Sequence, residues 1–218
     1  MKARIALIHA TPVAMEPIRK AFQADWSEAE LVNLLDDSLS TDLAAAGRQS
    51  AAIKRRMAAL AGYAEDIGAD AVLFTCSAFG DAIDLARQLV SVPVLKPNEA
   101  MFGEAMDAGA HIGMVATFGP SVASMESEFH EMAAACNRSI HLETLLVEEA
   151  MTALRRGDGQ THDRLVAEAA ERLIHCDAVM LAHFSTSGAL KSVKKAVSIP
   201  VLTSPHSAVA KLKAALAS

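Results

Sequence analysis

The chain has 218 residues, 52% hydrophobic and 21% charged, with a formal net charge of -6 and a single Trp and a single Tyr. That length suits one large or two small domains with a proper core, and the composition excludes a disordered chain. An acidic chain poor in aromatics excludes the electrostatic footprint and stacking platform of a nucleic-acid binder, and no apolar run approaches the roughly 20 residues that cross a bilayer.

In chain order, "RIALIH" from Arg4 predicts a buried first strand, not a secretory leader, because no cleavage motif follows His9. "MEPIRKAFQA" then predicts a helix and "ELVNLLD" a second strand. From Asp42 to Gly68 the period is helical, with Ile53, Met57, Leu60, Ala64 and Ile67 on one face at three- and four-residue steps. In "DAVLFTCSAFGDAI", from Asp70, an apolar strand gives way at Cys76 to small and turn-forming residues. Alternating strands and helices predict parallel sheets in an α/β fold. The three cysteines, Cys76, Cys136 and Cys176, match neither a disulfide framework nor a metal-ligand set. A reducing, cytoplasmic setting without a metal is the expectation.

The chain also repeats itself. "DAVLFTCSAFGDAIDLARQLVSVPVL" from Asp70 returns without a gap as "DAVMLAHFSTSGALKSVKKAVSIPVL" from Asp177, and "RIALIHATP" from Arg4 returns as "HIGMVATFG" from His111. Both pairs share one shift of 107 positions, so two similar doubly wound α/β/α halves with parallel sheets are expected, related by a pseudo-twofold. Ligands bind such sheets at the carboxyl ends of the strands, which predicts an active-site cleft between the halves. The expected first lobe is 1–98 plus 205–218, with the last helix "HSAVAKLKAALA" returning to it; 99–204 form the second.

Under this shift Cys76 falls on His183. Both follow an apolar strand and precede small polar residues and a helix. A thiol and an imidazole brought together from opposite sides suit the removal of a proton from one face of a carbon and its return to the other. A helix N-terminus just after Cys76 is one environment that lowers a thiol's pKa, and Ser77 with nearby backbone N–H groups can hold a carboxylate or enolate oxygen. A packed core thiol and a hydrogen-bonded core histidine are the plain alternatives. Cys136 and Cys176 have no such equivalence and read as structural. Further contact candidates are His9 and Thr11 after the first strand, Ala78 beside Ser77, Thr117 after the equivalent strand, Ser185 after His183, and His206 at the rim. Ser121 and Ser124 suit helix capping as well as ligand contact.

The duplicated halves, the "TCSA" and "LAHFS" loops, the "VPVL" and "IPVL" strands and the "ATFG" turn resemble the aspartate/glutamate/hydantoin racemase superfamily, which includes arylmalonate decarboxylase and maleate cis-trans isomerase. The resemblance covers nearly the whole chain. It implies cofactor-independent exchange of an α-proton between two facing cysteines, with substrate oxygens held by hydroxyls and loop amides. Cys76 matches the first cysteine and Thr117 a substrate-binding hydroxyl. Ser77 and Ala78 replace the Asn and Thr of a Cys-Asn-Thr motif, and His183 stands where the second cysteine is expected.

The expected activity is therefore racemisation or isomerisation of a small carboxylate by Cys76 and His183. The alternatives are decarboxylation of a malonate-type acid with Cys76 as sole proton donor, addition of the Cys76 thiolate to an activated double bond, and non-catalytic binding of a small acid. A homodimer is the expected assembly.

Overall fold

A computed structural model describes residues 2–217. By Cα proximity the chain divides into two compact units, Met1–Ala100 with Ala208–Ser218, and Met101–Ser207. Both divisions fall inside helices.

In the first unit the strands are β1 (Arg4–His9), β2 (Glu30–Leu35), β3 (Ala71–Phe74) and β4 (Val94–Leu95), all parallel in the order β2-β1-β3-β4. Its helices are α1 (Met15–Asp25), α2 (Ser38–Ala46), α3 (Ala51–Asp66) and α4 (Gly80–Leu89); α5 (Glu99–Ala108) leads onward. Side chains alternate across a strand. Ala6, Ile8, Val72 and Phe74 accordingly pack with Ile53, Met57 and Ala61 of α3 and Ala82, Ile83 and Ala86 of α4. Ile5, Leu7, Ala71 and Leu73, of the other parity, are equally buried. Strands covered on both faces must be continuously apolar.

The second unit repeats this plan. Strands β5 (His111–Ala116), β6 (His141–Leu146), β7 (Ala178–Leu181) and β8 (Val201–Thr203) are parallel in the order β6-β5-β7-β8. One face carries Met114, Ala116 and Met180 against Phe102 of α5 and Phe129 of α6 (Val122–Ala135). The other carries Val115, Val179 and Leu181 against Ala150 of α7 (Glu148–Arg155), Val166 of α8 (Gly159–Glu171) and Val193 of α9 (Leu190–Ala196). Helix α10 (Ser204–Leu216) begins in this unit, and farther along it Lys213 Nζ donates to the Asp25 carbonyl of the first unit's α1, 3.1 Å away. The prolines before β4 and β8 play equivalent parts: the Pro93 carbonyl accepts Val72 N–H at 2.8 Å and the Pro200 carbonyl Val179 N–H at 2.9 Å.

The helical stretch expected from Asp42 to Gly68 is two helices. Gly47 adopts a left-handed φ of 64° that stops α2, and the Ser50 hydroxyl accepts Ile53 N–H to start α3. Periodicity alone passed over this break because the apolar face resumes in register beyond it. Cys136, expected to be structural, is exposed at the end of α6, while Cys176 is buried.

Candidate active site

The chain leaves β1 toward β2 on one side and leaves β3 toward β4 on the other, so the carboxyl ends of these two adjacent strands flank the topological switch point of the first sheet, where open α/β sheets bind ligands. Cys76 stands two residues beyond β3 in extended conformation and precedes a short 3-10 turn, Ser77–Phe79. Helix α4 starts only at Gly80, so the thiol does not sit at its N-terminus. Burial pushes the Cys76 pKa up, with the Ala78 backbone N–H opposing. This corrects the expected depression: desolvation outweighs the nearby amide. Gln49 holds the turn from outside, donating to the Ala78 carbonyl at 3.2 Å and accepting Ala82 N–H at 3.0 Å.

Behind the thiol, His9 is fully buried at the end of β1. Its Nδ1 lies 2.8 Å from Thr75 Oγ1 and its Nε2 3.0 Å from Asn33 Oδ1. Burial lowers its pKa, with Asn33 opposing. Both ring nitrogens are thus engaged by protein, and the residue bonded to Nδ1 is the immediate neighbour of Cys76. Thr11 caps the 3-10 turn Pro12–Ala14 through Val13 N–H. Ser77 is half-buried, and Ala78 exposes its side chain.

In the second unit His183 occupies the matching position beyond β7. Its φ of 70° is left-handed, an unusual state for a residue other than glycine. Asn137 (φ 53°) shares that state, but Asn137 ends a helix, where asparagine takes it routinely. Strain at His183 has no such local reason, and strained residues gather at functional sites. Its Nε2 is 2.5 Å from Ser121 Oγ, which is also 2.9 Å from the Phe118 carbonyl. The Phe118 ring meets the imidazole edge-on at 6.4 Å. His183 Nδ1 is buried without a hydrogen-bond partner. Burial lowers the imidazole pKa, with the Ala182 backbone opposing.

Thr117 is buried, 3.2 Å from the hydroxyl of buried Thr186. Ser185 opens the 3-10 turn after His183, and His206 lies half-buried in the first turn of α10. Sequence reasoning weighed Ser121 as a cap or a ligand contact and not as the partner of His183, and it missed Asn33, Thr75, Gln49 and Thr186 altogether. The repeat held a usable signal for Thr186: a polar residue stands there where the first half has buried Phe79.

A model of the Asp/Glu/Hydantoin racemase family matches residues 7–212. Among solved structures, the chain is similar to an allantoin racemase from Klebsiella pneumoniae at 20% identity and a TM-score of 0.75, covering 99% of this chain and 88% of that one. It is similar to an aspartate racemase homologue from Pyrococcus horikoshii OT3 at 18% identity and a TM-score of 0.73, covering 100% of both chains. A glutamate racemase from Francisella tularensis subsp. tularensis SCHU S4, in complex with D-glutamate, is similar at 12% identity and a TM-score of 0.63, over 99% of this chain and 81% of that one. At such identities the likeness is one of fold, and function must be argued from the site. No curated protein matches the chain in sequence.

Proposed function

Since the chain belongs to the Asp/Glu/hydantoin racemase family, we propose that it is a cofactor-independent racemase or isomerase of a small carboxylate, with Cys76 and His183 as acid and base on opposite faces of the reacting carbon. The observation that carries this reading is the equivalent placement of the two groups, each two residues beyond the third strand of its own sheet, with His183 held there in a left-handed backbone; burial raises the pKa of the thiol and lowers that of the imidazole. At neutral pH the thiol therefore keeps its proton and the imidazole lacks one, so the resting pair is one donor and one acceptor.

In this mechanism the Ser121 hydroxyl gives its proton to the Phe118 carbonyl and accepts Nε2–H of His183, so Nδ1, buried without a partner, is the basic atom. Nδ1 takes the α-proton, and the bonding pair moves into the adjacent carbonyl or carboxylate to form an enolate. Ser77, Thr117 and loop amides hold its oxygens. The Cys76 thiol then gives its proton to the opposite face, leaving a thiolate and an imidazolium that return to rest by exchange with solvent. His9 is a positioning residue, acting through Thr75.

A second reading is favoured by the same raised thiol. A malonate-type acid loses CO₂, and Cys76 protonates the enolate from a single face without a base.

The deciding experiment incubates the protein in D₂O with amino acids, allantoin and other hydantoins, 2-aryl acids, aryl malonates and maleate, following deuterium incorporation, optical rotation and CO₂. Deuterium at the activated carbon with loss of rotation and no CO₂ is expected. CO₂ release undiminished in His183→Gln establishes the second reading instead. If Cys76→Ala matches wild type on every substrate turned over, Cys76 is not the reagent and both readings fall. For the first reading, kcat/KM falls at low pH as His183 is protonated, below the ordinary imidazole range. It falls at high pH as Cys76 ionises, above the ordinary thiol range, which leaves a wide plateau. Enantiomers have equal free energy, so kcat/KM must be equal in both directions, and the asymmetry of the pair appears in kcat and KM separately.

A further inference from the structure

At the opposite end of the second sheet, where its strands begin, another set of side chains converges. His111 opens β5 and pairs across the ladder with His141 of β6; two residues on, Gly113 pairs with Glu143. The two-residue period puts His141 and Glu143 on one face of β6. A Cβ at Gly113 would lie 3.0 Å from Leu173 Cδ1 and 3.1 Å from Leu173 Cβ, so glycine lets the exit of α8 approach without displacing Leu173. The segment after Leu173 then delivers His175 and Cys176. His175 Nε2 lies 2.8 Å from Glu143 Oε2, and donor atoms of Glu143, His175 and Cys176 all fall within 4.8 Å of one another. The His111 ring is 4.7 Å from that of His141 and 6.3 Å from that of His175.

The first unit shows what this corner holds in the other copy. Arg4 stands where the second unit has His111, Glu30 where it has His141, Gly68 and Ala69 where it has His175 and Cys176, and Val32 where it has Glu143. There the Arg4 guanidinium supplies the positive charge, bonding Glu30 Oε1 at 3.0 Å and the Ile67 carbonyl at 2.6 Å. In the second unit the equivalent position is a histidine, and the groups around it are lone-pair donors: imidazoles, a carboxylate and a sulfur.

We propose that this corner is a binding site for a divalent transition metal, Zn²⁺ by its ligand types, held by Cys176 Sγ, His175 and Glu143 with His111 or His141 completing the shell. Mixed sulfur, nitrogen and oxygen ligation is what zinc accepts, and calcium and magnesium do not take such a set. Metal–ligand bonds of about 2.0–2.3 Å put tetrahedral donors roughly 3.3–3.8 Å apart. Closing from within 4.8 Å is a movement on the scale of side-chain rotation. Glu143 and His175 are partly exposed and give the ion a way in, while Cys176 lies at the buried floor. Asp177 is already engaged, since its Oδ2 accepts the N–H groups of Ala110 and His111 at 2.8 Å each. Binding displaces the Cys176 proton to solvent and ties the exit of α8 to the sheet. The role is structural, because His183 lies beyond the other end of the same sheet.

The test uses the full chain, stripped with EDTA and titrated with Co²⁺ as a spectroscopic stand-in. A thiolate-to-cobalt charge-transfer band with tetrahedral d–d absorption is expected, saturating at one equivalent and removed by Zn²⁺. The band is expected to persist in a Cys76→Ala/Cys136→Ser double variant and to vanish in Cys176→Ser. His175→Gln and Glu143→Gln change exposed or half-exposed positions and keep the test decisive if Cys176→Ser does not fold; each is expected to weaken Co²⁺ binding by more than about tenfold. No thiolate band in wild type, a band that survives Cys176→Ser, or unchanged affinity in both His175→Gln and Glu143→Gln overturns the proposal. None of these readouts depends on turnover, so the metal site and the proposed reaction stand or fall separately.

Discussion

The two units share strand order, ladder pairing and even the carboxylate that ties the starts of neighbouring strands together: Asp70 accepts Arg4 N–H at 2.7 Å, and Asp177 accepts Ala110 and His111. They differ at the strand ends. At the carboxyl ends a half-buried thiol beside a glutamine-braced turn stands where the other copy has a serine-bonded imidazole on a left-handed backbone. At the starts an arginine–glutamate pair is exchanged for histidines, a glutamate and a cysteine. Strands buried on both faces tolerate little but apolar exchange, whereas the loops beyond them carry few packing obligations. Duplication therefore preserved the sheets and let the chemistry diverge at their margins.

The sharpest way to break this comparison is to remove the thiol. Cys76→Ala is expected to lower isotope exchange by about 10²–10⁴-fold, the usual worth of a positioned acid or base, with stability close to wild type by thermal melting. Restoring symmetry is the next largest change. In His183→Cys the base must be a thiolate, so the acidic limb of the pH profile moves to higher pH; a limb left in place would mean that His183 does not set it. Ser121→Ala removes the hydroxyl that orients the imidazole and is expected to cost about three- to tenfold in kcat, the worth of one hydrogen bond, with KM little changed. The smallest test concerns the shared carboxylates. Asp177→Ala, which loses two N–H acceptances, is expected to lower unfolding free energy by about 1–2 kcal/mol in urea titration, and Asp70→Ala by less.

Much of the scaffold was legible in the sequence. The 107-residue repeat located β1, β3 and β4 against β5, β7 and β8 because a gap-free copy preserves apolar patterning. The equivalent placement of Cys76 and His183 beyond β3 and β7 came from the same alignment. The glycine break at Gly47 escaped because apolar period ignores backbone handedness. The thiol's pKa was misjudged because the helix expected directly after it begins four residues on, and burial then dominates. The cluster of Glu143, His175 and Cys176 was invisible to cysteine spacing, since its members come from a strand and from the turn after α8.

The sequence by itself determined the α/β class, the duplication and the equivalence of a cysteine with a histidine, all of which are written in local patterns and in their repetition. Only the tertiary structure decided which groups those residues meet: Thr75 reaches His9 across 66 positions, Ser121 reaches His183 across 62, and Glu143 reaches His175 across 32. The physical reason is that proton affinity depends on desolvation and on hydrogen-bond partners, and parallel strands draw both from distant parts of the chain.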